Sequence, residues 1–257
     1  MQQRAVLAEL FRSGERAISD FTDSRVCRLY LCGCCPASLF VNSKFAMAAC
    51  TKVHDDTLRG QYEAALAKGG PCYDSELLYQ VEDILQRMER RSVMDSRRAE
   101  EDEGPNCVIP RVDTENPPEV QAVAAEIAAK ERELESAGSN IVAAGALEEA
   151  LEALARKKCL EQAKACRLPP VTPVPEGKVA HPRLRICVTC GQHVNLVDAD
   201  DRTADHFQGR GHLGHYTAAV WAAKLRAAKA SKAAAAAASS GSGGAGGGGG
   251  YGGWGGR

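Results

Sequence analysis

Apolar residues recur at helical spacing along much of this chain. Val6, Leu7, Leu10 and Phe11 mark a short helix over residues 2–12, closed near Gly14 and free to dock on a partner or on the cysteine-rich region beside it. Leu77, Leu78, Val81, Ile84, Leu85 and Met88 form a stripe within a helix over 75–103, whose end, RRAEEDE, is highly charged. Four prolines interrupt residues 104–118, which read as a linker. A helical hairpin is expected over 119–168. Its first arm carries Val123, Ile127 and Leu134, Gly138-Ser139-Asn140 makes the turn, and its second arm carries Leu147, Leu151, Leu154 and Lys158 on one face. Steps of three and four along that face describe the seam of an antiparallel coiled coil. Pro169 and Pro170 open a second proline-rich linker to residue 182. A basic helix is expected over 217–232, and the Ala/Gly-rich residues 233–257 as a disordered tail.

Composition sharpens this picture. Aromatics are only 5% of 257 residues, so the expected fold class is mainly α, with small local cores rather than one large globule. The opening MQQRAVLAELFRSGER has too short an apolar run to be expected as a secretory signal, and no run approaches the roughly 20 apolar residues of a membrane span. A nuclear or cytosolic compartment is the expectation. Thiols stay reduced there, so the 11 cysteines point to metal binding.

The net charge of −1 hides a division along the chain. Residues 1–60 hold 8 Lys/Arg against 6 Asp/Glu, residues 61–177 hold 14 against 23, and residues 178–232 hold 9 against 4. Both cysteine-rich ends are basic and the middle is acidic. That suits polyanion binding at the ends and a solvated spacer between them.

Within residues 183–216, Cys187 and Cys190 form CxxC, His206 follows after 15 residues and His212 after five more. Two thiolates and two imidazoles close a tetrahedron around zinc, a Cys2His2 finger. A helix starting near Asp200 carries His206. A step of six residues turns about 240° round a continuous helix, so that helix must break before His212. Gly209 and Gly211 supply the freedom, one of them at positive φ. His193 and His215 are possible substitutes as ligands. A redox CxxC would need a βαβ context that is missing here. Two thiolates cancel the charge of Zn²⁺, which leaves Arg183, Arg185, Arg202 and Arg210 as phosphate-contact candidates, with Gln192 and Asn195 able to add hydrogen bonds.

Residues 21–60 offer Cys27, Cys32, Cys34, Cys35, Cys50 and His54. In CTKVH, Cys50 and His54 stand at i and i+4 and would share a helix face. Cys35 precedes Pro36, a turn position that aims its thiolate inward. The favoured set is Cys27, Cys35, Cys50 and His54, a Cys3His finger, with Cys34 open as the alternative second ligand. The leftover cysteines read as buried apolar thiols. Three thiolates make this site −1, so Arg25, Arg28, Lys44 and Lys52 would carry any attraction for RNA.

FTDSRVCRLYLCGCCPASLF, CTKVHD, LRICVTCG and DRTADHFQGRGHLG, in this order, resemble the Luc-seven splicing factors over residues 5–226. The family's VC and CP pairs fall on Val26-Cys27 and Cys35-Pro36, and its CxKxH on Cys50, Lys52 and His54. Its CxxC and ADHFxGxxHLG fall on Cys187, Cys190, His206 and His212. The resemblance implies a nuclear component or close associate of the U1 small nuclear ribonucleoprotein (U1 snRNP), acting in five-prime splice-site selection. It implies pre-mRNA and U1 RNA as partners, with the second finger near their duplex. It also implies that the terminal helix docks on the Sm core. Three features depart from the family pattern. The proline-broken stretch interrupts a helical region, the hairpin is Ala-rich, and the tail is Gly-rich where larger relatives carry Arg/Ser repeats.

No P-loop, GxSxG or HExxH is present, and four protein ligands close each expected zinc site, whereas a catalytic zinc keeps an open position. An RNA-binding subunit is therefore expected rather than an enzyme. The competing reading is a zinc-bearing protein-interaction scaffold that works through its acidic hairpin. Basic charge at both fingers favours RNA.

Overall fold

The computed structural model describes residues 18–137, 141–171 and 173–240. The expected terminal helix over 2–12, the hairpin turn at 138–140 and the tail beyond 240 lie outside these residues.

Two single-turn helices, α1 (Arg28–Leu31) and α2 (Pro36–Leu39), open the described chain. Two longer helices follow, α3 (Asp56–Ala67) and α4 (Asp74–Glu103). Asp55 caps α3 by accepting a 2.8 Å bond from the Thr57 N–H, and Gly104 at φ 115° ends α4. The apolar stripe of α4 is buried as its spacing predicts, through Leu77, Leu78, Val81 and Ile84.

The stretch over 104–118 is more than a spacer. It forms β1 (Cys107–Val108) and β2 (Arg111–Val112), while β3 (Val179–Ala180), β4 (Leu184–Cys187) and β5 (His193–Asn195) come from beyond the hairpin. β1 pairs with β3 in parallel. β2 pairs in parallel with β4, which pairs antiparallel with β5, giving the order β2-β4-β5. Proline excludes helix but not an edge strand, because an edge leaves half its N–H groups unused. Pro110 lacks the N–H and still contributes its carbonyl, which accepts from Ile186 N at 2.9 Å.

Helices α5 (Pro118–Ala137) and α6 (Ile141–Ala165) form the expected hairpin. Among the described residues its base is the buried part: Val120 and Val123 on α5, Cys159, Gln162, Ala163 and Ala165 on α6, and Cys166 just after it. Leu147, Leu151 and Leu154 on the seam are half-buried. Helix α7 (Asp200–Gln208) and the long α8 (Arg210–Ser240) complete the chain. The basic helix thus starts seven residues before the expected 217 and runs through residues 233–240 of the expected tail.

Three cores hold these pieces together. One joins Val112, Cys159, Cys166, Cys187, Cys190 and Phe207, so the hairpin base and the second finger share an interior. Another joins Cys34 of the first finger to Leu77, Leu78 and Val81 of α4 and to Ala218, Ala222 and Leu225 of α8. The third, Val26, Leu31, Leu58 and Tyr62, lies within the first finger and α3. Because α8 grows out of the second finger, the two fingers form one body. Gly33, at φ 129°, makes the approach possible, since a Cβ there would lie 2.0 Å from the Trp221 ring.

Stability should follow the α4–α8 contact. Leu77, at 0% exposure, when replaced by Ala should cost about 2–5 kcal/mol, from lost burial and the cavity left behind. Tyr79→Ala on the same helix, at 71% exposure, should shift stability by no more than about 0.5 kcal/mol. Denaturant unfolding of both variants checks the contrast.

Candidate metal centres

The first ligand set is assembled by backbone pairing. Val26 and Val53 form a parallel bridge, with Cys27 N donating to Val53 O at 3.1 Å and Val53 N donating to Arg25 O at 2.8 Å. This lays the Cys50–His54 segment beside Cys27. The segment is not helical, so the i, i+4 helix face expected of CTKVH is absent. An extended segment bent around the bridge turns both side chains inward instead. Cys27 occupies the position before α1, and Cys35 the position before α2, where Pro36 supplies the first helical residue. The ligand atoms of Cys27, Cys35, Cys50 and His54 all lie within 4.8 Å of one another. His54 stacks on Tyr30 at 4.5 Å, and its Nε2 is buried with no hydrogen-bond partner, a lone pair suited to a metal.

The second set is assembled by a knuckle and a broken helix. Cys187 ends β4, Gly191 turns back at φ 68°, and Gly191 N donates to Cys187 O at 2.8 Å. His206 lies in α7 and His212 in the first turn of α8. Between them Gly209 is extended, with φ −65° and ψ 138°. The helix breaks where the ligand spacing requires, but neither Gly209 nor Gly211 has positive φ. Their smallness serves packing instead. A Cβ on Gly209 would lie 3.0 Å from His206 O, and one on Gly211 3.2 Å from the Phe45 ring. Cys190 Sγ is 3.4 Å from His206 Nε2, and Cys187 Sγ is 3.6 Å from His212 Nδ1. The four ligand atoms again lie within 4.8 Å.

Proton affinities in both clusters carry the mark of crowded sulfur. The hydrogen bond between Cys27 and Cys35 holds the Cys35 thiol well below its ordinary value and pushes Cys27 up, with burial adding to the latter. Cys187 and Cys190 divide in the same way, Cys187 held down and Cys190 pushed up. Only a cation lets every thiol in such a site ionise. Burial opposes charge on His212, but hydrogen bonds to Cys187 and Glu115 outweigh it and raise its pKa to about 9. Each set could hold a metal ion, and thiolate with imidazole suits zinc.

The alternative ligands stand elsewhere. Cys34 packs against α4 and α8. His215 lies between Phe40 and Phe45 and bonds Gly211 O through Nδ1 at 2.7 Å. His193 belongs to β5 and to neither cluster.

A supporting residue comes from the stretch expected to be linker. Glu115 Oε1 lies 3.1 Å from His212 Nε2, the nitrogen facing away from the sulfurs. Glu115 also accepts from Gln162 Nε2 at 2.6 Å and pairs with Lys158 at 3.1 Å. A carboxylate behind a ligating histidine fixes its ring and raises its basicity. Arg156 of α6 clasps Asp201 and Asp205 of α7. Neither Glu115 nor Arg156 belongs to a ligand motif, so spacing could not reveal them.

The expected RNA-contact residues fall into distinct settings. Lys44 and Arg210 line one cavity of about 500 Å³ between the fingers, together with Gln192. Lys52 and Arg183 are exposed. Arg25 pairs with Asp23 at 2.9 Å, Arg28 lies over the Tyr73 ring and Arg202 faces Asp198 at 3.8 Å. Arg185 is half-buried and donates to the carbonyls of His181 and Leu184, so it braces β4. Asn195 Oδ1 accepts from Val197 N in a turn.

Elemental analysis of purified protein should find two metal ions per chain, and Cys50→Ser should lose one of them. Glu115→Gln should keep both at saturation and weaken the second by roughly 10–100-fold, leaving the first unchanged. Competition with a chelator checks this.

The sequence profile described as LUC7 N-terminus matches residues 2–241. The chain is similar to the U1 snRNP-associated protein usp106 of Schizosaccharomyces pombe, 28% identical over 236 residues, 88% of this chain and 86% of that one. Alsin2 of Drosophila melanogaster is 30% identical over 223 residues, 84% of this chain. Luc7-like protein 3 of Homo sapiens is 29% identical over 201 residues, 74% of this chain. The chain spans 51% of Alsin2 and 43% of the human protein, so it corresponds to about half the length of those two relatives. Both ligand sets and the helices joining them lie inside the matched region, and the chain belongs to the LUC7 family.

Proposed function

We propose that this chain is a nuclear, non-catalytic RNA-binding subunit of the U1 snRNP that acts in five-prime splice-site selection, with one zinc ion in each ligand set. The observation that carries this reading is the similarity to usp106, named as U1 snRNP-associated and matched over 86% of its length. Two features support it. Each ligand set is filled by four protein side chains, the arrangement of a structural rather than a catalytic zinc. The exposed cations Lys44 and Arg210, one from each finger, converge on one cavity. The RNA partners would be pre-mRNA and U1 RNA. Contact with the Sm core would fall to residues 2–12, outside the described residues. No helix among the described residues is long and apolar enough to cross a membrane.

RNA affinity of the metal-loaded chain should fall steeply as salt rises. Arg210→Ala should leave both ions bound, weaken binding across RNA sequences, and reduce the salt slope by about 1 if it meets one phosphate. Absence of salt-dependent RNA binding, with the chain still recovered on U1 snRNP, would favour the scaffold reading.

A further inference from the structure

A second cavity, of about 200 Å³, lies where the second knuckle meets α4 and the loop after α2. Gly191 seats the knuckle there, since a Cβ would lie 2.6 Å from Ser92 Cβ and 2.9 Å from Met88 Sδ. Two polar atoms at this junction have no partner. Ser92 is 3% exposed and its Oγ makes no hydrogen bond, and His193 Nε2 is buried in the same condition. Both residues line the cavity and neither belongs to a ligand set. Buried polar groups are ordinarily satisfied, so these atoms are available to a group entering the cavity.

The walls define the chemistry of that partner. Phe45 presents an aromatic ring, and the Arg91 guanidinium lies 5.5 Å from its centroid. Aromatic and guanidinium planes are the surfaces on which unpaired nucleobases stack. The interior does not suit a phosphate, because Asp95 lines it and already faces Arg91 at 3.6 Å. A base suits it better. Asp95 can accept from N–H groups on a base edge, and Ser92, His193 and Gln192 offer further hydrogen bonds. Guanine presents two adjacent N–H donors to a single carboxylate. Phosphates flanking such a base would find cations outside, since Lys44 lines both this cavity and the larger one that holds Arg210.

We propose that this cavity receives one unpaired nucleobase of a single-stranded RNA, stacked against the Phe45–Arg91 pair and read by Asp95, with guanine preferred over uracil. The proposal rests on the RNA-binding reading and specifies where and how that binding distinguishes sequence.

The test uses the full metal-loaded chain and fluorescent uridine octamers whose fifth base is uracil or guanine. The guanine octamer should bind more tightly, on the order of fivefold or more. Asp95→Asn should bring the ratio of the two affinities to about one, the readout being that ratio rather than either affinity alone. Arg91→Gln should weaken both octamers. Both side chains are substantially exposed, so the variants should fold, whereas Phe45 packs on Phe40 and His215 and its removal would disturb the finger junction. A 6-thioguanosine at that position should photocrosslink to the segments carrying Phe45 or Met88. Salt-dependent binding of both octamers with equal affinity, or crosslinks confined to other segments, would overturn the cavity proposal and leave the RNA-binding reading standing. No binding of either octamer at low salt would overturn both.

Discussion

Sulfur atoms gathered in a buried site cannot all ionise unless a cation sits among them, and the rest of this structure depends on that constraint. At the second centre, Cys187 and Cys190 are fixed by the knuckle, and two histidines must reach the same point from helices that point differently. The break at Gly209 follows from this requirement, and so does the direction in which α8 departs. That direction lays Ala218, Ala222 and Leu225 against α4 and brings Trp221 over Gly33. The geometry of one ligand set thus determines how two fingers far apart in the chain become one body.

Small residues make this close approach possible in a chain poor in large apolar side chains. Gly33 leaves room for Trp221, Gly191 for Ser92 and Met88, and Gly214 for Phe40, whose ring would lie 2.6 Å from an added Cβ. Alanines along α8 let it run near α4 without bulky intermediaries. Dispersion and burial per contact are modest here, so closeness of approach matters more than the size of any one side chain.

The sequence was informative wherever a physical period or a ligand count operated. The stripe on α4, the hairpin arms and the two Cys/His groups that the fold brings together could be read because 3.6-residue spacing and tetrahedral coordination leave few alternatives. Partners that come from a distance in the chain leave no such mark. Residues 104–118 contain two strands, but strands of two residues carry no period, and their pairing with β3 and β4 is set by tertiary contact. Glu115 was hidden for the same reason. Cys50 and His54 show a different failure. Their spacing fits a helix, yet an extended segment held by the Val26–Val53 bridge brings the same atoms together. At Gly209 and Gly211 the residue type was a sound clue to a special position, but crowding rather than positive φ is what a side chain would meet.

Pairing β2 with β4 means that the second finger closes around an insertion. Thr114 touches Cys187 across 73 positions, and the whole hairpin lies in the interval. The first finger has no such interruption, since its ligands run from Cys27 to His54. During synthesis the two ligand sets are therefore completed in a fixed order. The first is complete once His54 has been made, before the hairpin is translated. The second must wait until the ribosome has delivered the knuckle and both histidines, and its β2 edge stays unpaired in the meantime. A hairpin that folds locally and quickly shortens the effective loop to be closed, which lowers the entropic barrier to that late step.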